Sequence, residues 1–217
     1  LLLCETGAPV VIGRDRVRAA RLLRMLYPDL DLILSDDGLQ HYRMARAIEI
    51  VVLDSQRYIK RARLLPNGPL REPYTRLRDV DAIVINGSNK NNVAELASAN
   101  QPVFFMRLTP GCCYRLGDRH QVVEVNYFIG KRVIAVAGIG FPERFFNMLR
   151  QLGIQLERTI AFPDHHFFTE SDIPSDVDVI MTAKDAVKLQ GSNHARLWVL
   201  PVQADVMPDL VDWLLVR

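Results

Sequence analysis

Apolar positions along this chain fall into two registers. Short continuous runs, Leu32-Ile33-Leu34, Ile50-Val51-Val52-Leu53 and Ile83-Val84-Ile85, read as strands covered on both faces. With the β-rich stretch at 9–13 they predict strands over 9–13, 30–35, 48–54 and 81–86. Between the first two, residues 14–27 carry helical spacing: Val17, Ala20 and Leu23 face a core, while Arg14, Arg18 and Arg21 run along another face with Arg16 and Arg24 beside them. Strands alternating with helical stretches predict a parallel sheet covered by helices. The pattern changes at Gln101. Extended segments at 102–108 and 121–127, around a Pro110-Gly111 turn and a polar Gly117-Asp118-Arg119 tip, predict a hairpin-like connector over 101–128. A second α/β series follows, with strands at 132–137, 157–161, 177–181 and 197–202, a helix at 142–152 and a closing helix at 208–216 with Pro208 near its first turn.

Composition narrows the class. The chain has 217 residues, 49% hydrophobic and 24% charged, with 27 Lys and Arg against 25 Asp and Glu. That is a globular balance, and its near-zero net charge of +2 argues against a nucleic-acid binder. The longest apolar run, 133–141, holds two glycines and falls well short of the ~18 residues of a bilayer span, so any membrane association is expected to be peripheral. Cys4, Cys112 and Cys113 are odd in number and lack C-x-x-C spacing, which supports neither a zinc site nor a disulfide framework and suits a reducing cytosol. The chain opens on Leu1, and its first residues read as neither a signal peptide nor a capped helix, as expected of a fragment.

Three stretches carry chemistry. In Ser35-Asp36-Asp37-Gly38-Leu39-Gln40-His41 a predicted strand ends in two carboxylates at the carboxyl edge of the sheet, where open α/β folds bind ligands. Adjacent acids repel, and Mg²⁺, which takes one or two carboxylates plus phosphate oxygens, relieves that; Gln40 and His41 could orient its water or a phosphate. The competing reading is a plain Asp-Gly turn. Residues 56–71 hold Arg57, Lys60, Arg61, Arg63 and Arg71 without an acid, a phosphate-attracting loop or a solvated one. Arg71 differs in lying within Leu64-Leu65-Pro66-Asn67-Gly68-Pro69-Leu70-Arg71-Glu72-Pro73, a stiff frame able to hold a guanidinium for bidentate phosphate contact. In Phe162-Pro163-Asp164-His165-His166-Phe167 an Asp-His pair could charge an imidazole for acid/base work, or simply form a turn with both histidines on a polar rim. Thr182-Ala183-Lys184-Asp185 reads as a strand-to-helix turn where Lys184 would suit an anion.

These stretches, with Val80 to Gly87, Ala135 to Phe146 and Met181 to Lys188, occur in an order that resembles the tetraacyldisaccharide 4'-kinase family of lipid A biosynthesis. The resemblance implies an α/β fold: a P-loop NTPase-like domain, incomplete here, over 1–106, a two-stranded linker over 107–128, and a smaller α/β domain over 129–217. It implies a lipid kinase that uses ATP and Mg²⁺ on an acylated glucosamine disaccharide lipid, peripheral on the cytosolic face of the bacterial inner membrane, with no nucleic-acid partner. Asp36 and Asp37 would be metal acids, and Asp37, Arg71 and His165 catalytic. Gln40, His41, Arg71, Asp164 and Lys184 would meet substrate or phosphate. The G-x-x-x-x-G-K-[ST] cradle does not occur in the 217 residues, so it is expected upstream of Leu1 together with an acidic Gly-Asp-Glu-Pro segment, and this piece alone is expected to be inactive. Phe141 stands where the family usually has Asn, Ala183 where it has an acid, and 58–61 lacks its glycines. Two other readings remain: a metal-dependent phosphoesterase using Asp36, Asp37, Asp164, His165 and His166, or a non-catalytic phosphate- or lipid-binding module.

Overall fold

The computed structural model describes residues 6–55, 62–87, 97–98, 100–189, 191 and 194–216. They form two compact units, one of residues 109–203 and one of the remainder. The elements in chain order are α1 (Arg16–Leu26), β1 (Ile50–Asp54), β2 (Ala82–Asn86), β3 (Val103–Pro110), β4 (Cys113–Arg115), β5 (Asp118–Val123), β6 (Val133–Ala137), α2 (Pro142–Gln151), β7 (Leu156–Ala161), β8 (Asp178–Thr182), α3 (Ala183–Ala186), β9 (Leu197–Leu200), β10 (Val202–Met207) and α4 (Leu210–Leu215).

The unit of 109–203 is built on a six-stranded sheet ordered β5-β4-β9-β8-β6-β7, with β7, β6, β8 and β9 parallel and the β4–β5 hairpin antiparallel at the other side. Its apolar strands are continuous because both faces are covered. Val133, Ala135 and Ala137 of β6 join Phe145, Phe146 and Leu149 of α2 on one face, and Ile134 and Val136 join Phe168, Ile173 and Leu189 on the other. Helix α2 starts where predicted, with Pro142 in its first turn and Glu143 beside the positive end of the helix dipole.

The other unit holds the sheet β1-β2-β3-β10, in which β1, β2 and β3 are parallel. Ile83 and Ile85 pack with Leu77 and Val80 on one face, and Ala82, Val84 and Phe104 pack with Val206, Leu210 and Trp213 on the other. Residues 204–216 therefore group with this unit and not with 129–203. The cause is local: β10 runs beside β3, and the Trp213 ring meets Phe104 edge-on at 5.7 Å. The expected connector over 101–128 divides: 103–110 form β3, paired in parallel with β2, and the hairpin is that of β4 and β5, whose pairing with β9 makes it the margin of the six-stranded sheet.

Two expected strands do not form. Residues 9–13 and 30–35 are irregular, and Leu32 and Leu34 are 65% and 81% exposed. An extended segment needs a neighbouring strand to exchange hydrogen bonds, and none flanks either segment among the described residues. Helix α1 forms, capped by Asp15, whose side chain accepts from the Arg18 N–H, but no residue of it is fully buried. Among the described residues no helix is long and apolar enough to cross a membrane.

Candidate functional site

The two acids sit on a turn, not at a strand end. Asp37 has φ 49°, in the left-handed region that Asp tolerates better than most side chains. The chain closes behind it as the His41 N–H donates to the Gly38 carbonyl at 3.0 Å. Gly38 is required there, since a Cβ would run into Ser35 Oγ. Cations of two other segments hold the turn by its backbone: Arg46 Nη1 donates to the Gly38 carbonyl at 2.8 Å, and Arg16 Nη2 reaches the Asp36 carbonyl at 3.5 Å. Arg16, beside the arginine face of α1, thus points into the site. Asp36 contributes only its backbone carbonyl to these contacts, and His41 is half-buried.

Arg71 comes to Asp37 across 34 residues of sequence. Its Nη1 lies 2.7 Å and 2.9 Å from the two Asp37 carboxylate oxygens and 3.3 Å from Gln40 Oε1. The hydrogen bond from Arg71 is the largest influence holding the Asp37 carboxyl below its ordinary pKa, and the same bond raises that of Arg71. Both side chains remain open to solvent, at 64% and 58% exposure, so the pair's net stabilisation is small and its main effect is orientation.

The frame before Arg71 is a closed loop. Leu65 N–H donates to the Leu70 carbonyl at 2.8 Å and Leu70 N–H to the Arg63 carbonyl at 3.2 Å. A half-buried ladder anchors the far side: Gln40 Nε2 donates to Glu72 at 2.6 Å, Arg76 lies 3.4 Å from Glu72 and 2.5 Å from Glu49, and Glu49 lies 2.5 Å from Arg46. Because Arg46 also holds Gly38, this chain of charges returns to the acidic turn. Arg57, Lys60 and Arg61, also expected to attract phosphate, and the 58–61 segment lie outside the described residues.

The other unit carries Asp164, His165 and Lys184 at the carboxyl edge of its sheet. His165 has φ 64° and an 80% exposed side chain; its N–H donates to Asp164 Oδ1 at 3.0 Å, and its Nε2 lies 3.7 Å from Asp164 Oδ2. Lys184 Nζ reaches Asp164 Oδ1 at 3.5 Å. Desolvation is the largest influence on the Asp164 carboxyl and would raise its pKa, but Lys184, His165 and the hydrogen bonds they donate outweigh it, leaving it below its ordinary value. Lys184 is thus partnered by an acid, and α3 is too short to offer an anion site at its amino end.

The two adjacent histidines separate. His166 stacks on Phe162 at 4.4 Å, meets Phe168 edge-on and lies 3.2 Å from Asp172, so it is a packing residue. Motif reading missed Asp185, which is fully buried. Its Oδ2 accepts from the Gly138 N–H at 2.9 Å and from Thr182 Oγ1 at 2.8 Å, and its Oδ1 lies 2.8 Å from Lys188 Nζ. Thr182 accepts in return from the Asp185 N–H at 3.2 Å. The Thr-x-x-Asp spacing of a capping box was the available signal. Asp185 thereby ties the loop after β6 to the junction of β8 and α3, the helix that carries Lys184.

Within each unit the arrangement offers hard oxygen donors and oriented cations. Among the described residues no three His, Cys, Asp or Glu side chains gather as a metal-holding group, and the packing of His166 removes one of the ligands a phosphoesterase would use.

Comparison with known proteins points one way. The family model for tetraacyldisaccharide-1-P 4'-kinase matches residues 1–217. The tetraacyldisaccharide 4'-kinase of Chromobacterium violaceum is 54% identical, with all of this chain matching 65% of that protein, and that of Methylobacillus flagellatus is 43% identical over all of this chain and 62% of its own length. A crystal structure of LpxK from Aquifex aeolicus in complex with ATP superposes with a TM-score of 0.74 at 26% identity, over 94% of this chain and 62% of that one. The chain thus spans just under two thirds of the length of these relatives.

Proposed function

The chain belongs to the tetraacyldisaccharide 4'-kinase family, and from that membership we propose that the protein containing it transfers the γ-phosphate of ATP to the 4'-hydroxyl of a tetraacylated glucosamine disaccharide 1-phosphate, in lipid A biosynthesis. The reaction would take place peripherally at the cytosolic face of the inner membrane. The observation that carries the reading is the Asp37–Arg71 pair at 2.7 Å, which joins an exposed acidic turn to a stiff cationic loop. Phosphoryl transfer needs little covalent chemistry from the protein and much positioning and charge stabilisation.

In this reading Arg71 keeps one edge of its guanidinium on Asp37 and presents its other N–H donors to phosphate oxygens. Asp36 and Asp37 supply exposed hard oxygens, which suits Mg²⁺ carried in with the nucleotide phosphates better than a dedicated protein cage. When bound, the ion neutralises charge on the phosphates. Gln40, held by Glu72, and half-buried His41 flank those carboxylates. Asp164, held below its ordinary pKa by Lys184 and His165, accepts from the His165 backbone N–H and so fixes that residue's position. His165 then supports the base that takes the proton of the sugar hydroxyl.

The test uses the full-length protein, labelled ATP and the disaccharide lipid. Arg71→Ala should lower kcat by about 10²-fold or more, as expected when one donor to a transition-state charge is removed. Unchanged kcat and KM would remove Arg71 from the phosphate site, and hydrolysis of a phosphomonoester without ATP would favour the phosphoesterase instead.

A further inference from the structure

The six-stranded sheet carries charged and aromatic side chains at its other edge as well. Strands β6, β8 and β9 are parallel, so their amino ends at Val133, Asp178 and Leu197 share the edge opposite to that of Asp164 and Lys184. An open cleft of about 660 Å³ lies there, lined by Arg115, Tyr127, Lys131, Asp176, Arg196 and Trp198 among others. That volume falls in the usual range for small-molecule sites. We infer that this cleft binds the phosphate of a phosphorylated sugar, at a site separate from both clusters described above.

The cations of the cleft differ in what holds them. Arg132 is held by both Glu157 carboxylate oxygens at 2.7 Å and 2.8 Å, and Arg196 donates to the Asp176 carbonyl at 2.7 Å, so these two brace the walls. Arg115 and Lys131 are placed without acids. The Arg115 guanidinium lies 5.2 Å from the centre of the Trp198 ring, and its buried Nε has no hydrogen-bond partner. The Lys131 ammonium sits 3.0 Å above the Tyr127 ring. Among the described residues no ion pair engages either cation. The aromatic faces hold both charges in position and leave the N–H donors that point away from the rings open, and a buried N–H lacking a protein acceptor is a place where a ligand acceptor gains most.

Phosphate fits because it brings several strong acceptors and close to two charges at neutral pH, which can meet an arginine and a lysine together. The cleft also presents carboxylates. Asp178, which accepts from Trp198 Nε1 at 3.2 Å, and Asp176 disfavour ligands that carry only negative charge and can accept from hydroxyls. Phosphate beside hydroxyls is a phosphorylated sugar or cyclitol, a chemistry shared by soluble sugar phosphates and by phosphoglycolipid headgroups.

Calorimetric titration of the full-length protein with glucose 1-phosphate and with inorganic phosphate, and co-flotation with phosphatidylcholine vesicles with and without phosphatidylinositol 4-phosphate, test the assignment. The expected result is saturable binding of glucose 1-phosphate, of the phosphoinositide vesicles or of both. Arg115→Gln or Lys131→Gln should weaken it about tenfold, the equivalent of one charge-assisted hydrogen bond. Lys131→Arg should restore it. Titration heat without flotation would assign a soluble ligand, and flotation without heat a headgroup. If Arg115→Gln lowers the melting temperature, Lys131→Gln decides. No saturable binding of either probe, equal affinity in wild type and Lys131→Gln, or inorganic phosphate binding as tightly as the sugar phosphate would each overturn the proposal.

Discussion

Asp185→Ala is the substitution whose cost follows most directly from geometry. The side chain is fully buried and receives three donors: the Gly138 N–H at 2.9 Å, Thr182 Oγ1 at 2.8 Å and the Lys188 ammonium at 2.8 Å. Alanine strands all three, including a largely buried cation. Breaking a buried charge pair by removing one partner costs about 3–5 kcal/mol. For a unit of this size that corresponds to a fall in Tm of roughly 15–30 °C. Asp185→Asn keeps the shape and part of the hydrogen bonding, and should cost about 1–3 kcal/mol. Urea denaturation followed by circular dichroism measures the loss, and hydrogen exchange at the Gly138 amide locates it. A change under about 1 kcal/mol for the alanine variant, or unaltered protection of Gly138, would refute the view that this carboxylate fastens the loop after β6 to α3.

Further expectations concern single groups. The Asp37 carboxyl, held down first by the Arg71 hydrogen bond, should titrate below 3.8 by NMR, and Arg71→Ala should return it toward that value. Because the folded pKa is the lower one, the pair's contribution is complete above the unfolded carboxylate pKa and is lost as pH falls through the folded one; equal midpoints in wild type and variant would contradict the contact. Glu49→Ala leaves the half-buried Arg46 and Arg76 guanidiniums without their shared carboxylate, and should cost about 2–3 kcal/mol by denaturation. A neutral result would mean that the ladder beneath the site is ornamental. Iodoacetamide should modify exposed Cys112 and spare Cys113, whose thiol burial pushes up to about 12, as peptide mass mapping can read. Rapid labelling of Cys113 in folded protein would oppose its burial.

The parts of the fold readable from sequence are those whose hydrogen-bond partners lie within the described chain. The apolar run at 132–137 became β6 because β7 and β8 flank it, and 142–152 became α2 because Phe145, Phe146 and Leu149 found that sheet. The equally apolar Leu32-Ile33-Leu34 did not become a strand, since apolar character fixes a preference for burial and not the presence of a neighbour. Spacing could not show that Arg71 meets Asp37 or that Glu49 bridges Arg46 and Arg76, because these contacts link segments up to 34 residues apart. Nor could it separate His165 from His166: the difference lies in a left-handed backbone at one and a phenylalanine face beside the other.

The central claim is that the Asp37–Arg71 turn serves transfer of phosphate from ATP. It is tested most directly by following labelled phosphate from ATP onto the 4'-hydroxyl of the tetraacyldisaccharide 1-phosphate with the full-length protein and its Asp37→Ala variant. The account predicts ATP-dependent labelling of the lipid by the wild type and a fall in kcat of about 10²-fold or more in the variant. Labelling by the variant at the wild-type rate, or no labelling by the wild type, would contradict it.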